Sequence, residues 1–249
     1  MTNPIKPTLK TEILPLLVLV AAIISSFYFY SHFPERIPTH WSFAGEVDGW
    51  GTRSTAFIIP AVMAGMYLLF MVLPFLDPKK ERYEQFRKVY HIFKSSIILF
   101  MAVIYFATSL NVLGYNLPIG IIVPVGVGLL FIIIGNYMGE IKSNWFFGIR
   151  TPWTLSSEEV WNKTHRFGGK MFMLAGFLIA VDAFLPINYR LGVFIAAMVL
   201  VLLGTVVYSY VIYLKEKKSH IAYRVSRIAY RVSHLSAEAP LSGAEEDNA

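Results

Sequence analysis

The sequence predicts an all-α membrane protein, a polytopic bundle of roughly six transmembrane helices with both termini cytoplasmic. Three observations lead there. The 249 residues are 55% apolar and only 15% charged, where soluble domains carry about a quarter charged residues. The apolar residues are gathered into long uncharged runs. Lys and Arg concentrate in alternate connections between those runs.

The first span is Ile13 to Tyr30, followed by Thr55 to Leu76. Each is long enough to cross a hydrocarbon layer that needs about 20 apolar residues. The first run exceeds the usual apolar core of a signal peptide, about 7 to 15 residues, and Phe27-Tyr28-Phe29-Tyr30 supplies no small-residue cleavage site, so it is expected to be retained. From Ser95 to Gly139 there is no charge, a stretch too long for one crossing. Gly114-Tyr115-Asn116-Leu117-Pro118 provides the break that turns it into spans three and four. The fifth span is Gly168 to Pro186, apolar apart from Lys170 and Asp182, and the sixth is Leu191 to Leu214.

Cationic segments resist translocation, so their positions orient the bundle. With the N-terminus inside, Lys6, Lys10, Lys79, Lys80, Arg82, Arg87, Lys88, Lys142, Arg150, Lys163, Arg166, Lys170 and the tail cations from Lys215 to Arg231 are all cytoplasmic. Arg36, Arg53 and Arg190 fall outside, and Lys94 sits at the mouth of span three. This division accounts for the net charge of +6 through insertion and anionic lipid, with no direct nucleic-acid partner. The bilayer is the one partner that composition demands, and a cell membrane the expected location. The absence of cysteine excludes disulfides, thiolate metal sites and cysteine nucleophiles.

The chain thus divides into a cytoplasmic tail (1–12), helices one and two with an outer loop (13–76, loop 32–54), a basic cytoplasmic loop (77–94), helices three to six with an inner loop (95–214, loop 140–167) and a cytoplasmic tail (215–249). In the outer loop Pro34 and Pro38 favour extended chain, while Gly45, Gly49 and Gly51 suit turns. Trp41, Phe43 and Trp50 fit the headgroup zone. His40, Glu46 and Asp48 either bond the loop's own backbone or converge on a metal or a cationic peptide.

In the inner loop, Ser156 and Glu159 have capping-box spacing, flanked by Leu155 and Val160 as a staple. A short helix is expected from near Ser157, with Val160, Trp161 and Thr164 on a face that lies on the membrane. Its N-terminus and Arg150 together suit an anion, although Arg150 could equally snorkel to lipid phosphate. Trp145, Trp153 and Trp161 suit interface anchors.

Asn136, Asn144, Gly148-Ile149-Arg150-Thr151-Pro152-Trp153-Thr154-Leu155, Trp161 and Thr164-His165-Arg166 resemble the signature of the SdpI family of bacterial membrane proteins. Ile37-Pro38-Thr39-His40-Trp41, with Gly45 and Asp48-Gly49, is similar to the DUF1648-type domain that often precedes it. The two patterns span about residues 13 to 214. The resemblance implies immunity to a secreted peptide toxin of the SdpC type, met at the outer face. It further implies a receptor that sequesters a winged-helix repressor at the cytoplasmic face. It supplies no catalytic residues and no cofactor.

After Leu214 the chain departs from the family core. Ile221-Ala-Tyr-Arg-Val-Ser-Arg is followed by Ile228-Ala-Tyr-Arg-Val-Ser-His, placing Ile221, Val225, Ile228, Val232 and Leu235 on one stripe of a basic helix. Two heptads are short for a coiled coil, so a helix on the inner leaflet is expected, or a docking site for the repressor. From Ser236 the composition suits disorder.

Asp182 is the one acidic residue inside a predicted span. Such residues are functional candidates, but its nearness to Pro186 suits a solvated or locally paired group. Asn111 and Asn136 suit bonds between helices. The alternative to immunity is a transporter or lipid-handling protein, motivated by Asp182 and Arg150, though no inverted repeat is evident. An enzyme is not expected, because no His-Glu-x-x-His motif, phosphate loop or nucleophile elbow is present and no metal set emerges.

Overall fold

A computed structural model describes residues 4–238 of the chain. It is an all-α bundle carrying one small β-hairpin, in the order α1 (Leu9–His32), β1 (Arg36–Trp41), β2 (Val47–Thr52), α2 (Ile58–Leu76), α3 (Tyr83–Val112), α4 (Ile119–Met138), α5 (Pro152–Ser156), α6 (Glu158–Asp182) and α7 (Ile187–Glu238). Five helical stretches are long and apolar enough to cross a bilayer: Leu9–His32, Arg53–Leu76, Lys80–Val112, Ile119–Met138 and Ile187–Arg231. α6 is the sixth long helix. Its polar first half dilutes its hydropathy, and its apolar half, from Gly168 on, packs between α4 and α7.

Local chemistry fixes the boundaries. Thr8 caps α1 in a reciprocal pair with Thr11, so the helix begins before its first apolar residue of the span. α3 begins at Tyr83, inside the segment expected as a basic loop. Val89, Tyr90 and Phe93 repeat at helical spacing and are buried, while Arg87 and Lys88 point outward. The turn between α3 and α4 falls where the glycine, asparagine and proline placed it, with positive φ at Gly114 (97°) and Asn116 (45°). Asn111 Nδ2 donates to the Leu117 carbonyl at 3.0 Å, closing this turn rather than bridging helices, and Asn136 is exposed.

α4 and α6 meet backbone to backbone. A Cβ at Gly128 would stand 2.5 Å from the Gly176 carbonyl oxygen, and one at Gly135 2.5 Å from that of Gly169. Both pairs are spaced by two helical turns, which keeps the small residues on one facing seam.

The outer loop is a structured hairpin. β1 and β2 pair antiparallel, with Pro38 opposite Trp50 and His40 opposite Gly49. A side chain at Gly49 would meet His40 Cβ at 2.7 Å, so that pairing requires glycine.

α7 departs from expectation beyond Leu214. The helix continues unbroken to Glu238, in line with the apolar span, instead of turning onto a leaflet. Lys215-Glu216-Lys217-Lys218 are good helix formers and no Gly or Pro intervenes before Glu238, so nothing bends it. Ile221, Val225 and Ile228 are exposed along it. Ser236 to Glu238 are helical, and the rest of the acidic tail, with its expected disorder, lies outside the described residues.

Candidate functional site

The two loops occupy opposite ends of the bundle. At the motif end, residues 139–157 fold into a compact knot whose centre is Asn144. Asn144 is fully buried; its Nδ2 donates to the carbonyls of Lys142 and Phe147, both at 2.9 Å. Its Oδ1 accepts from the amides of Phe146 (2.9 Å) and Phe147 (2.6 Å). One short amide side chain thereby satisfies a tight turn that has no ladder. Gly148 follows at φ 110°, and beyond it the Ile149 amide donates to His165 Nε2 at 2.9 Å. That acceptor role places the His165 proton on Nδ1, which donates to the Trp161 carbonyl at 2.8 Å. Burial holds the His165 imidazole down at about 4, well below its usual value, despite that backbone bond.

Thr151 caps α5, with Pro152 in its first turn, and Thr151 and Thr154 bond reciprocally. The Thr154 hydroxyl also donates to the Ile149 carbonyl at 2.9 Å, and Thr151 Oγ1 lies 3.2 Å from Ser209 Oγ on α7. The capping box thus sits at Thr151 and Thr154, not at Ser156 and Glu159. Ser157 caps the next helix, its hydroxyl accepting from the Val160 amide at 3.3 Å, and that helix is α6 itself. No separate membrane-lying helix forms, because the turns from Glu158 run straight into the fifth span. Trp161 is consequently buried, stacked on His165 at 4.0 Å with its Nε1 donating to the Ile141 carbonyl at 2.8 Å. It is no interface anchor. Trp145 is exposed, and Trp153 packs on Tyr210 at 4.9 Å.

Thr164 is fully buried and Arg166 exposed. Arg150 is also exposed, donating from Nη1 to the Trp145 carbonyl at 2.5 Å. Arg150 and Arg166 are therefore the motif cations available to a partner, standing on a knot that Asn144, Thr151, Thr154 and His165 hold together.

At the hairpin end, His40 Nδ1 bonds the Asp48 carboxylate across the strands. Glu46 contributes its backbone, the carbonyl accepting from the Ser42 amide at 2.8 Å. Among the described residues no three His, Cys, Asp or Glu side chains group as a metal site. Trp50 carries Arg36 over its ring at 5.1 Å, and Phe43 packs on Phe194 of α7 at 5.5 Å. Gly45 lies on Gly120 at the start of α4, where a Cβ would stand 3.2 Å from the Gly120 Cα. The hairpin tip therefore spans from the α1–α3 half to the α4–α7 half. Beneath it is a cavity of about 580 Å³, lined by His40, Trp41 and Phe43 from the hairpin and by residues of α3, α4, α6 and α7, Asp182 and Arg190 among them. Asp182 is 4% exposed, and its Oδ1 has no hydrogen-bond partner among the described residues. The carboxylate expected to be solvated or locally paired thus has one oxygen shut away without a bond, while Arg190 is close enough to act on it through charge.

Two further clusters were not legible beforehand. Lys94 is wholly buried, with Nζ 2.6 and 2.5 Å from the two carboxylate oxygens of Glu12, and the Tyr67 hydroxyl donates to the same carboxylate at 2.7 Å. Asp77, 2% exposed, accepts from the Lys79 amide (2.7 Å), the Tyr83 hydroxyl (2.9 Å) and the Trp145 amide (2.9 Å). It pins the motif knot to the junction of α2 and α3. A carboxylate directly after an apolar span was the available signal for Asp77.

Residues 140–211 match the SdpI/YfhL protein family, and residues 17–64 match a domain of unknown function, DUF1648. The chain is 32% identical over 207 residues to the "Immunity protein SdpI" of Bacillus subtilis (strain 168), covering 83% of this chain and 98% of that protein. The chain belongs to the SdpI family. The SdpI-matched region holds the knot, α5, α6 and the span of α7, while the DUF1648-matched region holds most of α1, the hairpin and the start of α2. The cavity takes walls from both matched regions and from the segment between them. Glu12, Asp77 and Lys94 lie in neither matched region. No solved structure matches the chain.

Proposed function

We propose that this multi-pass SdpI-family membrane protein is an immunity protein of the bacterial plasma membrane, conferring resistance to a secreted peptide toxin of the SdpC type. The observation that carries this reading is the likeness to a protein named for immunity, running over nearly that protein's whole length. In this reading the hairpin with His40, Trp41, Glu46 and Asp48 faces outward and meets the toxin. The knot with Arg150 and Arg166 faces the cytoplasm, in keeping with the cationic residues at that end. The chain acts by binding, without catalysis or a cofactor.

The same arrangement supports a receptor role. A winged-helix repressor would meet the Arg150 face of the knot or the exposed Ile221–Ile228 stripe of α7, which projects past the apolar span. Expression in a toxin-sensitive host tests the immunity reading. Survival at toxin concentrations that kill the vector control is expected, and unchanged killing by SdpC-type toxin, at membrane levels verified by blotting, would overturn it.

A further inference from the structure

The cavity under the hairpin combines two properties that rarely coexist without a ligand. Its walls are mainly apolar, supplied by residues such as Ile104, Val123, Val127 and Phe194, and its volume of about 580 Å³ falls within the range of small-molecule sites. Asp182 also lines it, nine-tenths or more buried, with an Oδ1 that no donor among the described residues reaches. A buried acceptor without a partner is a standing deficit that a bound donor would remove. Arg190 does not remove it. Its Nε donates to the Leu185 carbonyl at 2.9 Å, and its Nη1 lies 3.5 Å from the Gly120 carbonyl, so the guanidinium acts on the carboxylate through charge while its bonds go to the turn and the start of α4. The unmet group is thus an acceptor, which argues for a ligand that donates over one that brings an anion.

The geometry points to a binding site for a molecule with an apolar body and one hydrogen-bond donor, an amine or a hydroxyl, received by Asp182 beneath the hairpin. Such a group is offered by the amine of an aminolipid, from the bilayer that the apolar spans require. The hairpin forms one wall, because the Gly45–Gly120 and Phe43–Phe194 contacts carry it across the two halves of the bundle. The site stands independently of the immunity reading, since it is read on the purified protein with no toxin present.

The test uses the full chain in phosphatidylcholine nanodiscs and three photoreactive probes: a diazirine-bearing decanol, the corresponding decylamine, and the methyl ether of the alcohol. Crosslinked positions are mapped by mass spectrometry. The alcohol and amine are expected to label cavity positions on α3 and α4 roughly tenfold over the lipid-facing Leu68 and Leu69, the ratio one buried hydrogen bond supplies, while the ether shows no such preference. Asp182→Leu should abolish the preference, Asp182→Asn, which keeps a carbonyl acceptor, should retain it, and Val123→Trp should block labelling by filling the space. Equal labelling by ether and alcohol, or a preference that survives Asp182→Leu, would overturn the proposal. Should Asp182→Leu fail to fold, the alcohol-to-ether ratio on the unaltered protein decides. Given the preference, replacing phosphatidylcholine with phosphatidylethanolamine tests the occupant: a fall in labelling supports the lipid amine, and constant labelling would overturn it.

Discussion

Gly148 lies so close to His165 that a Cβ at position 148 would stand 2.3 Å from the imidazole Nε2, the same nitrogen that accepts the Ile149 amide at 2.9 Å. The glycine serves two needs at once, a φ of 110° and room for a ring, and both lead to the same knot. Around that contact Asn144, Thr151, Thr154 and Trp161 are locked by bonds to backbone or to each other. The stretch with the most distinctive sequence is thus held mainly for shape, and it presents Arg150 and Arg166 on its surface.

Gly148→Ala should destabilise the protein by about 2 kcal/mol or more, combining positive-φ strain with displacement of His165. Gly139→Ala, whose nearest neighbour would be Arg166 Cγ at 3.4 Å, is the matched control and should be close to neutral. Thermal unfolding of the two variants in detergent, followed by circular dichroism, compares them directly.

Acid should loosen the knot. The folded His165 imidazole titrates at about 4, below its ordinary 6.5, so the neutral ring is the form the fold accepts. Its contribution is fully present above pH 6.5 and is lost as pH falls toward 4, in total on the order of 3 kcal/mol. Unfolding temperatures measured from pH 7.5 to 4.5 should drop more steeply for the unaltered chain than for His165→Gln, which is weaker at neutral pH but has no ring to charge. Parallel slopes would show that other groups set the acid sensitivity.

Lys94→Ala should cost about 3 to 5 kcal/mol, because it leaves Glu12 in a buried setting without its cation. The double variant Lys94→Met with Glu12→Gln should recover much of that loss. A double-mutant cycle on unfolding midpoints measures the coupling, and additive losses would mean that the two side chains act separately.

Arg150→Ala removes an exposed side chain that bonds one backbone carbonyl, that of Trp145, so protein levels should hold. If the motif cations meet a partner, protection in the toxin assay should nevertheless disappear. Loss of protection together with loss of protein would instead make Arg150 part of the fold.

The bundle was legible because lipid imposes a length on apolar runs and an asymmetry on cations, and both are written directly in the chain. The break at Gly114 to Pro118 was legible for a similarly local reason. The hairpin was not: Pro38 and three glycines read as irregular loop, and only pairing across the turn makes Arg36–Trp41 and Val47–Thr52 strands. Lys94 read as a cation at a span's mouth because its partner, Glu12, is 82 residues away. Trp161 was misplaced since Ser157 starts a helix that never leaves the bundle, and a tryptophan on its first turns faces the core. In each case a tertiary neighbour decided what local spacing left open. The extension of α7 was the reverse, where amphipathic spacing suggested a surface helix but unbroken helix formers carried the span's axis onward.

In the proposed topology the hairpin and the knot lie on opposite sides of a bilayer, with the knot inside. The chain has no cysteine, so single substitutions report without background. Glu46→Cys in the hairpin turn and Ser156→Cys after the knot, both at exposed positions, are to be treated on intact cells with a membrane-impermeant maleimide. Labelling of Glu46→Cys in intact cells, and of Ser156→Cys only after permeabilisation, is the predicted result. Labelling of Ser156→Cys in intact cells with Glu46→Cys protected would contradict it.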